Sequence, residues 1–150
     1  MSSVNIIIGS QMGSAEYVAE QLSEALNDQG ISTQLHEQPE FNSIDQQNTT
    51  WLICTSTYGA GDYPDNLLSF IDDLSQVDDL TNLKYSVIGL GDTSYDTYNL
   101  AARKVDSLLA SKGAIKVAQR LELNILDEAL PEETALAWLA SWLVESGLKQ

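Results

Sequence analysis

The strongest constraint on the fold is an alternation of two kinds of segment along the chain. Residues 4–9 form a short apolar run rich in β-branched side chains, and residues 15–26 repeat alanine, valine and leucine at helical spacing. Short apolar runs of the first kind are typical of strands that are buried on both faces of a parallel sheet. The apolar stripe of the second segment predicts a helix that packs one side on that sheet.

The alternation continues along the chain. Further strands are predicted over residues 31–35, 51–55, 85–90 and within 114–125, where hydrophobicity is interrupted around Gln119 and Arg120. Further helices are predicted from Pro64, over residues 98–109 with Tyr98 facing inward, and from Pro131, and Gly30 and Gly113 end the first and third. We therefore predict a single α/β domain over residues 1–150. Its five parallel strands form a doubly wound sheet with helices on both faces.

The charge balance narrows the range of partners. The chain has 7 basic and 22 acidic residues, a net charge of −15, and no lysine or arginine precedes Lys84. Such a field repels the phosphates of nucleic acids and anionic lipids, and it attracts a basic protein partner. A role of the acidity in solubility alone is the alternative interpretation.

Other features of the composition limit location and chemistry. No apolar run is long enough to cross a membrane and no basic region precedes Ile6, so we expect a cytoplasmic protein without a cleaved signal peptide. Cys54 is the only cysteine, which excludes an internal disulfide and a multi-cysteine metal site. We interpret Cys54 as a small buried hydrophobe and His36 as a surface residue. The aspartate pairs 72–73 and 78–79 lack calcium-loop spacing, so we predict a solvated face and no metal site.

Three loops directly follow predicted strands and carry most of the functional information. They are residues 10–15, 55–62 and 89–95. In an open parallel sheet, the loops that leave the carboxyl ends of the strands line one crevice, where ligands bind. We therefore expect these three loops to form one site.

The first loop has the chemistry of an anion site. It precedes a predicted helix, whose free N–H groups and dipole attract negative charge. Ser10 and Ser14 add hydroxyl donors, and Gly13 permits close approach of the backbone. The loop lacks the Gly-Lys-Ser/Thr of nucleoside triphosphate sites and the G-x-G-x-x-G of dinucleotide sites, which favours a terminal monophosphate. A simple turn with Ser14 capping the helix is the alternative.

The other two loops supply aromatic rings. Tyr58 is followed by Gly59, which tolerates positive φ, and the third loop contains Asp92 and Tyr95. Two rings from adjacent loops can hold a flat heterocycle at about 3.5 Å between planes. A backbone that can change its hydrogen-bonding direction suits a redox-active ligand. The alternative is that Tyr58 only covers the core.

At these residues the chain resembles the flavodoxins. That family has a hydroxyl-rich phosphate loop after the first strand, Ser-Thr-aromatic-Gly after the third and Gly-x-Gly-Asp-x-x-Tyr after the fourth, and all three occur here in order. The last strand has no long insertion, as in short-chain members. Residues 15–20, 58–67 and 124–127 are similar to the MioC-type subgroup.

The resemblance implies the flavodoxin-like strand order 2-1-3-4-5, a noncovalently bound FMN and one-electron transfer. By position, residues 10–15 would bind the phosphate, Tyr58 and Tyr95 would flank the ring, and Asp92 would lie near its pyrimidine edge. Gly59 would turn its carbonyl toward N5 when that atom is protonated.

Two departures from the family concern the phosphate loop. The usual threonines are replaced by Met12 and Ala15, which predicts weaker binding of FMN. The residues that we expect to contact the cofactor are Ser10, Gln11, Met12, Gly13, Ser14, Ala15, Thr55, Ser56, Thr57, Tyr58, Gly59, Ala60, Gly61, Gly91, Asp92, Tyr95, Tyr98 and Asn99.

Electrostatics supports a carrier of low-potential electrons. One acidic charge about 8 Å from a reduced flavin anion costs roughly 2 kcal/mol at an effective dielectric near 20, and less when solvent screens it. We therefore predict a low second reduction potential. The resemblance implies a flavodoxin reductase as donor and support of biotin synthase as the acceptor, and nothing in the sequence requires more than a monomer.

Three other functions are alternatives to electron transfer for a chain with this pattern. A phosphorylated receiver domain shares the fold but needs an aspartate at the end of the third strand, where this chain has residues Thr55, Ser56 and Thr57. A substrate-converting enzyme is disfavoured because no nucleophile and base pair is visible, so no catalytic residue is predicted. A flavin-binding regulatory or interaction protein that passes no electrons needs the same pocket, and the sequence leaves it open.

Overall fold

The computed structural model describes residues 3–10, 14–57, 61–92, 98–126 and 129–148. The strands are β1 Ser3–Gly9, β2 Ser32–His36, β3 Thr50–Ser56, β4 Lys84–Gly91, β5 Ile115–Lys116 and β6 Leu121–Asn124. The helices are α1 Ser14–Asp28, α2 Leu68–Gln76, α3 Leu100–Ser111 and α4 Pro131–Glu145, with 3₁₀ turns at Phe41–Ser43 and Asp65–Leu67. The helix predicted from Pro64 thus begins as a 3₁₀ turn and becomes α-helical at Leu68.

The sheet confirms the predicted order, with its fifth position shared by two short strands. β2, β1, β3 and β4 are neighbours in that order, and all pairs are parallel. β5 pairs with the start of β4 and β6 with its end. The break between them falls where the sequence loses hydrophobicity, and there Arg120 turns its guanidinium to Asp106 of α3 at 2.6 Å.

Each face of the sheet is covered by a separate apolar core, as the strand alternation requires. On one face, Ile6 and Ile8 pack with α1 and α4. On the other face, Ile7 and Ile53 pack with α2 and α3. Helices on both faces are therefore confirmed, and the face with α2 and α3 also receives an aromatic group formed by Phe41, Trp51 and Phe70.

The helix ends agree with the sequence at the glycines and differ at Tyr98. Gly30 (φ +79°) and Gly113 (φ +86°) follow α1 and α3 in the left-handed conformation that glycine adopts without strain. Tyr98 was expected to face inward on the third helix, but that prediction is wrong. Asn99 has φ +52°, which is not helical, and α3 begins at Leu100. The Tyr98 ring is partly exposed, and the Arg103 guanidinium lies over it, 5.7 Å from its centroid.

The last helix supports the sheet through its tryptophans. Trp138 and Trp142 stack with centroids 5.9 Å apart, and the buried Trp142 donates from Nε1 to Ser86 Oγ at 2.8 Å. Both serve the core, as their spacing predicts. Among the described helices, none has the length and apolar character needed to cross a membrane.

Candidate functional site

The strand register brings the three candidate loops to one edge of the sheet. Gly9 of β1 lies opposite Thr55 of β3, and Ser56 lies opposite Leu90 of β4. The three strands therefore end side by side, and the chain leaves each of them at the same edge. At this edge the sequence predicts the ligand crevice.

The first loop starts from a buried serine and ends in a helix. Ser10 is 6% exposed, and its backbone N–H donates to Asn66 Oδ1 at 3.0 Å. α1 begins at Ser14, and Ala15 is buried in the core with its carbonyl 3.6 Å from Cys54 Sγ. The positive end of the α1 dipole therefore faces this edge and suits a phosphate. Gln11, Met12 and Gly13 lie outside the described residues, as does the Ser14 side chain.

The first residues of the second loop are held by hydrogen bonds within the fold. Thr55 and Ser56 are the last two residues of β3. Thr55 is fully buried, and its hydroxyl donates to the Ser56 carbonyl at 2.9 Å. Thr57 Oγ1 accepts the N–H of Ala101 at 3.0 Å and so satisfies one free donor at the start of α3. Tyr58, Gly59 and Ala60 lie outside the described part of the chain.

The end of the second loop is held by a lysine that sequence reasoning missed. Lys104 Nζ donates to the Gly61 carbonyl at 2.8 Å and lies 4.7 Å from the centroid of the Tyr63 ring. Gly61 has φ +95°, and a Cβ there would collide with Leu100. Burial raises the pKa of Tyr63 to about 12. The only sequence signal for Lys104 is the scarcity of basic residues in this chain.

Below the third loop lies a buried asparagine. Asn99 is 0% exposed, and a Cβ on Gly89 or Gly91 would lie within 2.6 or 2.9 Å of its Oδ1. Its Nδ2 donates to the Leu123 carbonyl at 3.5 Å, whereas Oδ1 is the one buried side-chain atom without a partner in the described chain. Asn99 thus joins β4, β6 and α3 from beneath the site. Asp92 within the third loop and Tyr98 after it are both partly exposed, and Tyr95 lies outside the described residues.

A network of charges fixes β6 against α3. Glu122 accepts from Arg103 at 2.8 Å and from Arg120 at 2.9 Å, and Asp106 accepts from Arg120 at 2.6 Å and Lys116 at 3.0 Å. Hydrogen bonding to the Arg103 guanidinium is the main reason that the pKa of Glu122 is lowered. The network holds the strand whose last residue, Asn124, pairs with Gly91 at the start of the third loop.

The basic residues are largely used within the fold. Lys112 donates to the Ser75 carbonyl at 3.0 Å, in addition to the contacts of Lys104 and of the three cations just described. Most cations are therefore tied to carboxylates or carbonyls, while exposed aspartates such as Asp72 and Asp78 face solvent. These contacts leave the net charge at −15.

Cys54 and His36 are the chain's single cysteine and single histidine, and their surroundings differ. Cys54 is fully buried, and desolvation raises the pKa of its thiol to about 12, which confirms the prediction of an inert buried side chain. His36 was predicted to be a surface residue, which is wrong because it is half-buried. Its Nε2–H donates to Asn5 Oδ1 at 2.8 Å, and burial lowers its pKa.

Comparison with known proteins decides the family. The family described as Flavodoxin matches residues 6–138. The chain belongs to the flavodoxin family. Among relatives, it is 41% identical over 145 residues to the protein named MioC homolog of Haemophilus influenzae, covering 96% of this chain and 97% of that protein. It is 40% identical over 144 residues to the protein named MioC of Escherichia coli K12, covering 95% of this chain and 97% of that protein.

Solved structures agree with this assignment. The structure of a mutant flavodoxin from Pseudomonas aeruginosa superimposes with a TM-score of 0.86 at 28% identity, covering 97% of this chain and 99% of that chain. The resemblance to flavodoxins, and to MioC-type proteins within them, is therefore confirmed. Membership of this family makes the protein a flavin-binding electron carrier rather than a substrate-converting enzyme. The individual contacts to the cofactor stay predictions.

Proposed function

We propose that this flavodoxin binds FMN at the edge formed by β1, β3 and β4 and carries single electrons between a reductase and an acceptor enzyme. The observation that supports this most is the register that sets Gly9 opposite Thr55 and Ser56 opposite Leu90. The N-terminus of α1 and the starts of two loops whose sequences contain tyrosines therefore lie at the same edge of the sheet. A flat ligand with a single phosphate matches this combination.

The contacts that we propose with FMN are assigned by position in the sequence. Residues 10–15 and the start of α1 would hold the phosphate with neutral donors and the helix dipole. Tyr58 and Tyr95 would stack on the ring, with Asp92 near its polar edge. When bound, FMN accepts and releases electrons one at a time. The chain's own contribution is to bind the ring, exclude water from its faces and set the electrostatic field around it.

The field around the site favours donation of low-potential electrons. Most of the cations are paired within the fold, and the net charge is −15. Negative charge near the ring penalises its fully reduced, anionic form. We expect a second one-electron potential below that of free FMN. Potentiometry that placed it at or above the free value would contradict this argument.

The partner would be basic at the rim of its contact surface and apolar at its centre. Ile125 and Leu126 are 52% and 59% exposed at the end of β6, and the Ile125 N–H donates to the Gly91 carbonyl beside the third loop at 2.8 Å. Acidic residues 127 and 128 follow them in sequence. A flavodoxin reductase as donor and biotin synthase as acceptor follow from the resemblance to MioC-type proteins.

Titration of the apoprotein with FMN and with riboflavin, followed by flavin fluorescence, tests the cofactor. Strong quenching by FMN with much weaker binding of riboflavin would support both the ring sandwich and the phosphate loop. Equal binding would argue against the phosphate loop, and no binding would refute the proposal. Reduction of the bound flavin by a flavodoxin reductase would then distinguish a carrier from a regulatory flavin-binding protein.

A further inference from the structure

The first loop is anchored by a side chain from a different part of the chain. Asn66 Oδ1 accepts the Ser10 N–H at 3.0 Å, and its Nδ2 donates to the Ile8 carbonyl at 2.7 Å and to the Glu37 carbonyl at 2.8 Å. One amide thus contacts the backbone on both sides of Gly9. The contacts span 56 and 58 residues of sequence.

These contacts take the place of hydrogen bonds to β2, which no longer pairs with β1 at this point. The parallel register of β1 with β2 stops at Ile7 and His36. Alternate residues of a strand point their backbone groups to the same side, so the Ile8 carbonyl and the Ser10 N–H both face the side that β2 has left. Asn66 satisfies them with one acceptor and one donor, the pairing that a neighbouring strand would supply. The same Nδ2 group also donates to the carbonyl of Glu37, the residue that follows the end of β2.

The packing around Gly9 makes this arrangement rigid. A Cβ at Gly9 would collide with Thr55 Oγ1 and lie 2.5 Å from Leu67 Cδ1. Leu67 is fully buried and directly follows Asn66. The absence of a side chain at Gly9 therefore allows Leu67 to pack over it, which brings the Asn66 amide into line with the backbone.

We propose that Asn66 is the positioning residue for the phosphate end of the cofactor. It holds the backbone at Ile8 and Ser10, from which the first loop leaves β1. This inference rests on the proposed binding of FMN. Because the contacts of Asn66 among the described residues lie at the root of the phosphate loop, its loss should affect FMN and leave riboflavin nearly unchanged.

The test compares Asn66→Ala with the unmutated protein and with Asn42→Ala, which removes an exposed asparagine from the Phe41–Ser43 turn. We expect the affinity of Asn66→Ala for FMN to fall by about tenfold or more, because two hydrogen bonds at the root of the loop are lost. Its affinity for riboflavin should stay within about threefold, and Asn42→Ala should bind both ligands as the unmutated protein does. Equal losses for the two ligands, or no loss, would overturn the proposal.

A second measurement covers the case in which Asn66→Ala does not fold. Hydrogen exchange of the Ser10 N–H in the unmutated apoprotein, followed by NMR, reports the Asn66 contact directly. Slow exchange is expected before any ligand is added, and fast exchange would overturn the proposal. Failure of the unmutated protein to bind FMN would instead refute the proposed function, so the two failures are distinguishable.

Discussion

Substitution of Asp106 tests the network that holds the end of the sheet. Its carboxylate is 3% exposed and accepts from Arg120 at 2.6 Å, Lys116 at 3.0 Å and the Tyr85 hydroxyl at 2.7 Å. Desolvation by burial, and then the hydrogen bond to Asp106, raise the pKa of the Tyr85 phenol. Asp106→Ala removes the one group that all three donors share.

The cost follows from what each donor can do afterwards. Breaking a buried ion pair by removing one partner costs about 3–5 kcal/mol. Arg120 keeps Glu122 at 2.9 Å, and the Lys116 side chain is 42% exposed and returns to water, so both losses are reduced. The Tyr85 hydroxyl keeps only a longer contact, 3.2 Å, to the Asp106 carbonyl. We expect Asp106→Ala to lower the free energy of unfolding by about 3 kcal/mol.

Urea unfolding of the apoprotein, followed by far-UV circular dichroism, measures this change. A loss of about 3 kcal/mol corresponds to a midpoint lowered by roughly 1.5 M for a slope near 2 kcal/mol/M. Asp106→Asn keeps an acceptor for Tyr85 and should cost about half as much. Asp78→Ala, at an exposed aspartate, should stay within about 0.5 kcal/mol. A loss below about 1 kcal/mol for Asp106→Ala would show that solvent already screens the network and that our reasoning is wrong.

Three further predictions concern single residues. Because burial lowers the folded pKa of His36 below its unfolded value of 6.5, protonation favours the unfolded state, so stability falls as the pH drops through that value. His36→Gln should reduce the difference in unfolding free energy between pH 7.5 and pH 5.5, measured by urea unfolding. An unchanged difference would assign the pH dependence to other groups. The Cys54 thiol, with its pKa raised to about 12, should not react with a thiol reagent at pH 8 until the protein is unfolded; rapid reaction of the native protein would contradict its burial. Tyr95→Ala should weaken FMN binding by about 1–3 kcal/mol in a fluorescence titration, and unchanged affinity would argue against the ring sandwich.

The sequence was sufficient where a segment's own pattern decides its structure. Apolar runs and helical stripes predict the strands and the helices on both faces, because those side chains must be buried against each other. The strand order was predicted from the resemblance to flavodoxins. The interruption near Arg120 was also visible. Its division of the fifth strand into two was not, because the break depends on a contact with Asp106 on another helix.

Long-range polar contacts were out of reach of pattern reasoning. Asn66 reaches the backbone on both sides of Gly9, and Lys104 reaches the Gly61 carbonyl 43 residues away. Neither has a periodic signal. His36 was misjudged for the same reason, because its partner Asn5 lies on the neighbouring strand. The left-handed Asn99 moved the start of α3 beyond Tyr98 in a similar way, since φ at a single non-glycine residue leaves no trace in hydrophobicity.

The divided fifth strand has a consequence for self-association. An exposed sheet edge is a template on which a strand of another molecule can add by backbone pairing. On the β4 side, such a strand would find two residues of β5, then the interruption that ends at Arg120, then four residues of β6. It would lose its register before a stable ladder formed. The opposite edge, β2, offers five consecutive residues with largely exposed side chains. Aggregation by strand addition would therefore begin at β2, and it would proceed by pairs of molecules meeting edge to edge rather than by growth through both sides of the sheet.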